Sequence, residues 1–288
     1  MFIPVFANYL FEVGQIKKEQ FGMILNYSKD ERLLLGQLAS NIGLMSPEQI
    51  LEVKRLQASS DKMFGQIALE AEYLTEDELN LLLKMQSKND LVVIKILTEH
   101  NILELANILE QFEGFKEYYS LSEADYEAIV ANNIRRCLER VSKITDEYGT
   151  FIDFADLFVK MVVRFLDREC LPKKIERVDS LTCECAIVQQ CTGDKEMTLG
   201  YTASRETLLS IADSYASMQF TTLAGTAVDA LKDFMKCSTG IFNTEMNQVK
   251  DTKIVLDAPE FESNKTFNDL YILPIETLFG EVKIFFSK

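Results

Sequence analysis

The chain has 288 residues, more than one domain of ordinary size, and 47% of them are hydrophobic, enough to bury a core in each of two domains. Its 45 acidic residues against 30 basic ones give a net charge of −15, and Lys17-Lys18 and Lys173-Lys174 are isolated pairs rather than a basic patch, so no nucleic-acid partner is expected. Six cysteines in so long a chain form no disulfide framework, and with His100 as the only histidine the chain lacks the ligand set of a metal site and the base of a Ser-His-Asp or Cys-His apparatus. No run approaches the roughly 20 apolar residues of a spanning helix. Met1–Ala7 lacks the basic start of a secretory signal, so the expectation is a cytoplasmic protein with no cofactor.

The first predicted elements come from internal repetition. Aligning LLGQLASNIGLMSPEQI, from Leu34, with FGQIALEAEYLTEDEL, from Phe64, places Gly36 over Gly65 and Gln37 over Gln66 at an offset of 29. The same offset puts Ala7 and Ile94 at the first glycine position, and Gly14, Gly43 and Asn101 at the second. Apolar positions recur as Phe21, Ile50, Leu79, Ile108 and as Tyr9, Leu38, Ile67, Ile96. Such periodicity indicates duplication of one supersecondary unit, here a short helix, a turn and a longer amphipathic helix. Ser46-Pro47-Glu48-Gln49 is a start signal for the second helix, with Ser46 as N-cap and Gln49 closing a capping box, and Thr75 with Glu78 repeats it. One unit cannot bury its own apolar face, so neighbouring units are expected to pack together.

The two 24-residue stretches Leu34–Gln57 and Met63–Gln86 resemble the tandem motif of the MshEN domain of type II secretion and type IV pilus ATPases. Leu35, Gly36, Ala39, Gly43, Met45, Ile50 and Gln57 follow that motif, as do Phe64, Gly65, Ala68, Leu74, Leu79, Leu83 and Gln86. Some members bind cyclic di-GMP through the leading arginines, so the resemblance implies ligand-binding positions at Leu35, Gly36, Gly43, Phe64 and Gly65. Here the arginine positions are Leu34 and Met63, and the second glycine of the later unit is Glu72. An aliphatic side chain offers none of a guanidinium's planar donors, and a carboxylate opposes phosphate.

Residues 1–115 thus read as a four-copy helical array and 116–145 as a helical connector. Leu121-Ser122-Glu123-Ala124-Asp125 opens a helix expected to run through Arg140, with Ser122 and Asp125 as its cap. Arg135, Arg136, Glu139 and Arg140 read as a solvated face.

From 146 to 288 the pattern changes to an α+β domain. A helix is predicted over Phe151–Leu166, strands over Leu181–Gln190 and Glu196–Tyr201, and helices over Ser204–Tyr215 and Thr222–Cys237. Strands follow at Thr252–Leu256, Asp269–Ile275 and Glu281–Phe286, with turns at Glu262-Ser263-Asn264 and Phe279-Gly280. Cys183 and Cys185 flank Glu184 and should face one side of their strand; Met218, Phe220 and Phe234 read as core. Asn243, Glu245 and Asn247 fall in a loop.

This order resembles the CheX, CheC and FliY chemotaxis phosphatases, CheX most closely. The resemblance rests on Met197-Thr198-Leu199-Gly200-Tyr201 before a helix, on Asp229-Ala230-Leu231-Lys232-Asp233-Phe234-Met235-Lys236 leading to Gly240, and on Pro274 with Gly280-Glu281-Val282. In that family a helix carries a glutamate and, three residues on, an asparagine whose amide positions water for attack on an aspartyl phosphate. Those two places are Asp233 and Lys236 here. Aspartate keeps the charge, whereas a charged lysine accepts no hydrogen bond and orients no water as an amide does. Three functions stand open: a catalytically degenerate module of bacterial chemotaxis signalling that docks a CheY-like receiver or another signalling protein, an active phosphatase of such a receiver, and a cyclic di-GMP sensor. The resemblance also allows a homodimer.

Overall fold

The computed structural model of the chain describes residues 1–30, 34–58, 62–86, 89–144 and 149–287. They form helices and one antiparallel sheet, and among them no helix is long and apolar enough to cross a membrane. The chain divides into two compact units, one of Phe2 and Phe6–Phe115, the other of Met1, Ile3–Val5 and Lys116–Lys288. The expected boundary at 145–146 lies outside the described residues.

The first unit is made of most of α1 (Phe2–Glu12), then α2 (Lys18–Asp30), α3 (Leu35–Asn41), α4 (Pro47–Ala58), α5 (Phe64–Glu70), α6 (Glu76–Gln86), α7 (Asn89–Glu99) and most of α8 (Leu105–Tyr119). Every odd-numbered helix ends on a left-handed residue: Gly14 at φ 75°, Gly43 at 75°, Glu72 at 57° and Asn101 at 51°. The hydrogen bonds around these residues repeat as well. The amides of Leu44 and Met45 donate to the Ala39 carbonyl, those of Tyr73 and Leu74 to Ala68, and those of Ile102 and Leu103 to Leu97. This pattern satisfies carbonyls that a helix end otherwise leaves orphaned. The next helix starts with a reciprocal cap: the Ser46 amide donates to Gln49 at 2.7 Å and the Thr75 amide to Glu78 at 2.8 Å.

Each hairpin buries the residue that receives those turn bonds, Leu10, Ala39, Ala68 and Leu97, to 0% exposure, which fixes the period in the core as well as in the turns. The copies pair two by two. The second and third meet through α3 with α6 and α4 with α5. The first meets the fourth through α2 with α7, where Tyr27 and His100 stack at 3.6 Å, and through a ring cluster of Phe2, Phe6, Phe112 and Phe115. Packing between sequence neighbours, as expected, therefore describes the middle pair, while the outer copies join each other.

The second unit opens with α9 (Glu123–Val130) and α10 (Ile134–Arg140) in place of the single expected helix, because Asn132 takes φ 61° and Asn133 caps a new start through the Arg136 amide. The arginine-rich stretch is also not a plain solvated face. Arg136 and Arg140 hold the buried Asp125, at 3.4 and 3.1 Å, and Arg135 holds the buried Asp153 at 2.7 Å with Lys250 on its other oxygen. A buried carboxylate needs such partners, which solvent would otherwise supply.

After α11 (Thr150–Phe165) come β1 (Leu171–Pro172), β2 (Glu176–Gly193), β3 (Met197–Ala203), α12 (Arg205–Ala216), α13 (Thr226–Gln248), β4 (Ile254–Leu256), β5 (Glu260–Thr277) and β6 (Gly280–Ser287). The sheet order is β1-β5-β6-β3-β2-β4, and β2 pairs again with β5, so the ladders of β2, β3, β6 and β5 run in a circle. A turn at Glu262-Ser263-Asn264 does not form: β5 passes straight through it, because Glu262 and Ser263 are matched to Ala186 and Cys185. Left-handed Asn264 and Asp269 only interrupt the ladder locally. The expected turn before Gly280 is present, and Cys183 and Cys185 are both buried with Glu184 exposed. Tyr201 of β3 joins the sheet to the helices, with its ring 5.3 Å from Phe158 of α11 and its hydroxyl donating to the Leu231 carbonyl of α13 at 2.9 Å. Phe234 is core as expected, whereas Met218 is 60% exposed.

Candidate functional site

Helix α13 is built as two faces. Ala227, Ala230, Leu231, Phe234, Met235 and Phe242 recur at helical spacing and are buried, which leaves Asp229, Asp233, Lys236, Cys237, Gly240 and Ile241 on the open face. Asp233 and Lys236 lie three residues apart and meet there: Lys236 Nζ donates to Asp233 Oδ1 at 3.1 Å, with the side chains 56% and 61% exposed. Helix α12 supports this stretch from the side. Tyr215 packs edge-on against Phe234 at 5.4 Å and shares a 3.3 Å hydrogen bond between its hydroxyl and Cys237 Sγ. Burial, the bond to Cys237 and the charge of Asp233 push the Tyr215 phenol up to about 12, so it stays protonated.

The pair puts a carboxylate and an ammonium side by side on open surface, with Asp229 a turn earlier on the same face. It can take a cation at Asp233 and an anion at Lys236, since an exposed pair of this kind is held only weakly. Among the described residues no amide side chain is hydrogen-bonded to either of them. Asn243, Glu245 and Asn247 are not in a loop: α13 continues to Gln248, because Met246 adds another buried turn. The Asn247 amide is committed, with Nδ2 donating to the Asn243 carbonyl at 2.8 Å and Oδ1 accepting from the Ile254 amide at 3.1 Å, which ties the helix to β4.

A second feature lies in the middle pair of repeats. A cavity of about 700 Å³ opens where α3 and α5 approach each other. Of the ligand positions read from the sequence, Leu35, Gly36, Phe64 and Gly65 line it together, whereas Gly43 sits in its turn at φ 75° and does not. The two lining glycines allow the close approach: a methyl on Gly36 would stand 3.0 Å from the Phe64 ring, and one on Gly65 2.7 Å from Leu79. Among the described residues no group of three or more His, Cys, Asp or Glu side chains is placed to hold a metal.

No protein-family model matches this sequence, and no curated protein does. Solved structures do resemble it in part. A CheX chemotaxis protein of Desulfovibrio desulfuricans is 11% identical over 48% of this chain and 97% of its own, with a TM-score of 0.42. A chemotactic CheC-like protein of Shewanella oneidensis is 15% identical over 49% and 99%, with a TM-score of 0.43. The CheX–CheY–BeF3–Mg complex of Borrelia burgdorferi aligns at 14% identity over 48% and 97%, with a TM-score of 0.39. The chain is thus similar to CheX-, CheC- and FliY-type structures over about half its length.

Two contributors to the α13 face were not legible beforehand. Tyr215 carries no motif that ties it to Asp233; only the packing of α12 on α13 brings them together. Asn247 reads as a loop amide until the full length of α13 shows it facing β4.

Proposed function

We propose that the second unit is a docking module for a phosphorylated CheY-like receiver in bacterial chemotaxis signalling, acting in the cytoplasm and binding without hydrolysing. The observation that carries this reading is the exposed Asp233–Lys236 pair in mid-helix on α13. A phosphoaspartyl group presents an anion, and a basic side chain beside it presents a cation. Lys236 answers the first and Asp233 the second. Binding without hydrolysis is supported by Lys236, because positioning a water for phosphoryl transfer is mostly a matter of orientation and an ammonium only donates where an amide would also accept. Asn247 supplies no replacement, because its amide is tied to Asn243 and to β4.

The test is calorimetric titration with a receiver held in its active state by beryllofluoride, together with phosphate release from the phosphorylated receiver. Binding that weakens about tenfold in Asp233→Ala and in Lys236→Ala, about 1.4 kcal/mol each, with phosphate release unchanged, is the expected result. Faster release of phosphate would overturn the docking-only reading, and absence of binding would overturn the partner.

A further inference from the structure

The cavity between the second and third repeats is a feature the receiver-docking reading leaves unused. We propose that it is a binding site for a small amphiphile with an apolar body and a single carboxylate or sulfonate group. Its volume of about 700 Å³ falls within the about 300–1,000 Å³ of ordinary small-molecule sites, and its composition fits the same class, mostly apolar with a few polar groups. Gly36 and Gly65 bring backbone to its lining, close against Phe64 and Leu79, where the equivalent positions of the outer repeats carry the side chains of Ala7 and Ile94. The rim is apolar and open: Leu34, Leu51, Met63 and Leu83 are 51%, 53%, 74% and 47% exposed. Four large hydrophobic side chains held around one concavity are a solvation cost that an apolar ligand relieves, at about 25 cal/mol for each Å² covered.

The polar groups set the ligand's other end. Gln37 and Gln66 occupy matching places in the two copies and offer amides, but the copies differ at the next turn of their longer helices, where Lys54 stands opposite Leu83. Among the described lining residues Lys54 is the one charged side chain. One ammonium on one side of an otherwise apolar chamber matches one anionic group. A ligand with two phosphates would find one ammonium for two anions, and the second would meet only uncharged side chains among the described lining residues.

The test uses the full chain with 8-anilinonaphthalene-1-sulfonate as fluorescent probe, and decanoate and decanol as competitors. The proposal expects saturable probe binding with one site per chain, displaced by decanoate. It also expects Lys54→Gln to weaken decanoate at least fivefold while decanol is unaffected, and Met63→Glu to remove both; Leu51→Glu is the second rim variant should the first fail to fold by circular dichroism. Receiver binding stays unchanged in all three, so its failure is separate. The proposal is overturned if decanoate does not displace the probe, if Lys54→Gln leaves decanoate unaffected, if a cyclic dinucleotide displaces the probe instead, or if sedimentation shows a dimer that Met63→Glu dissolves.

Discussion

At the scale of single residues, the turn positions carry the clearest energetic contrast. Gly14 and Gly43 adopt left-handed backbone without strain, and nothing lies within 4 Å of a methyl placed on either, so replacing them tests the backbone alone. Gly43→Ala should lower stability by about 1 kcal/mol, and Glu72→Gly should raise it by a similar amount, since only glycine enters that region freely; chemical denaturation with unchanged slope would register both. Asp125 makes a different kind of prediction. Burial works against its charge, yet hydrogen bonds from Ser122 and the guanidinium of Arg140 hold its carboxyl below the ordinary range. A depressed folded value contributes stability above the unfolded value, about 3.9, and loses it as pH falls through the folded one. Asp125→Asn should therefore destabilise evenly from pH 5 to 8 in thermal melts, with the gap to the parent closing at more acid pH. A gap that widens in acid would show that the arginines are not what hold the residue.

Among elements, the sheet depends on a close approach at Gly200. A methyl there would collide with the Phe285 ring and stand 2.9 Å from the Ile187 carbonyl oxygen, so β3 cannot keep its place between β2 and β6 with any side chain at that position. Overpacking of this kind costs about 1–3 kcal/mol, and Gly200→Ala should show it as a lowered melting temperature. Helices with repeated signals were the most legible elements: the capping pairs at Ser46 and Thr75 and the 29-residue offset located the starts of α4 and α6 from the sequence alone. What stayed hidden was settled by contacts distant in sequence. Asn132 breaks the connector helix through its own backbone, but Glu262 to Asn264 look like a turn and become strand only because β2 pairs with them. Likewise the resemblance to CheX-type phosphatases pointed to Asp233 and Lys236, whereas Tyr215 beside them required α12 to fold back.

For the whole molecule, the division into two compact units predicts that unfolding is not a single transition. Calorimetry should resolve two, with Gly200→Ala moving one and Glu72→Gly the other; one shared shift would mean that the units melt together. The circular pairing of the sheet carries a consequence for how the chain acquires its structure. Each helical hairpin closes between residues a few positions apart, as Leu44 does with Ala39, but β2 meets β5 through partners such as Thr182 and Thr266, 84 positions apart. Pairings that distant wait for a large loop to close, and chains rich in them fold slowly. During synthesis the apolar stretch of β2 from Cys185 to Val188 is therefore without its β5 partner for as long as the ribosome takes to deliver α12, α13 and β5, while the repeats ahead of it have all their local partners already made. The cell's chaperones should accordingly meet this protein through its second half, and a nascent chain stopped after α12 should be held by them when one stopped after α8 is not.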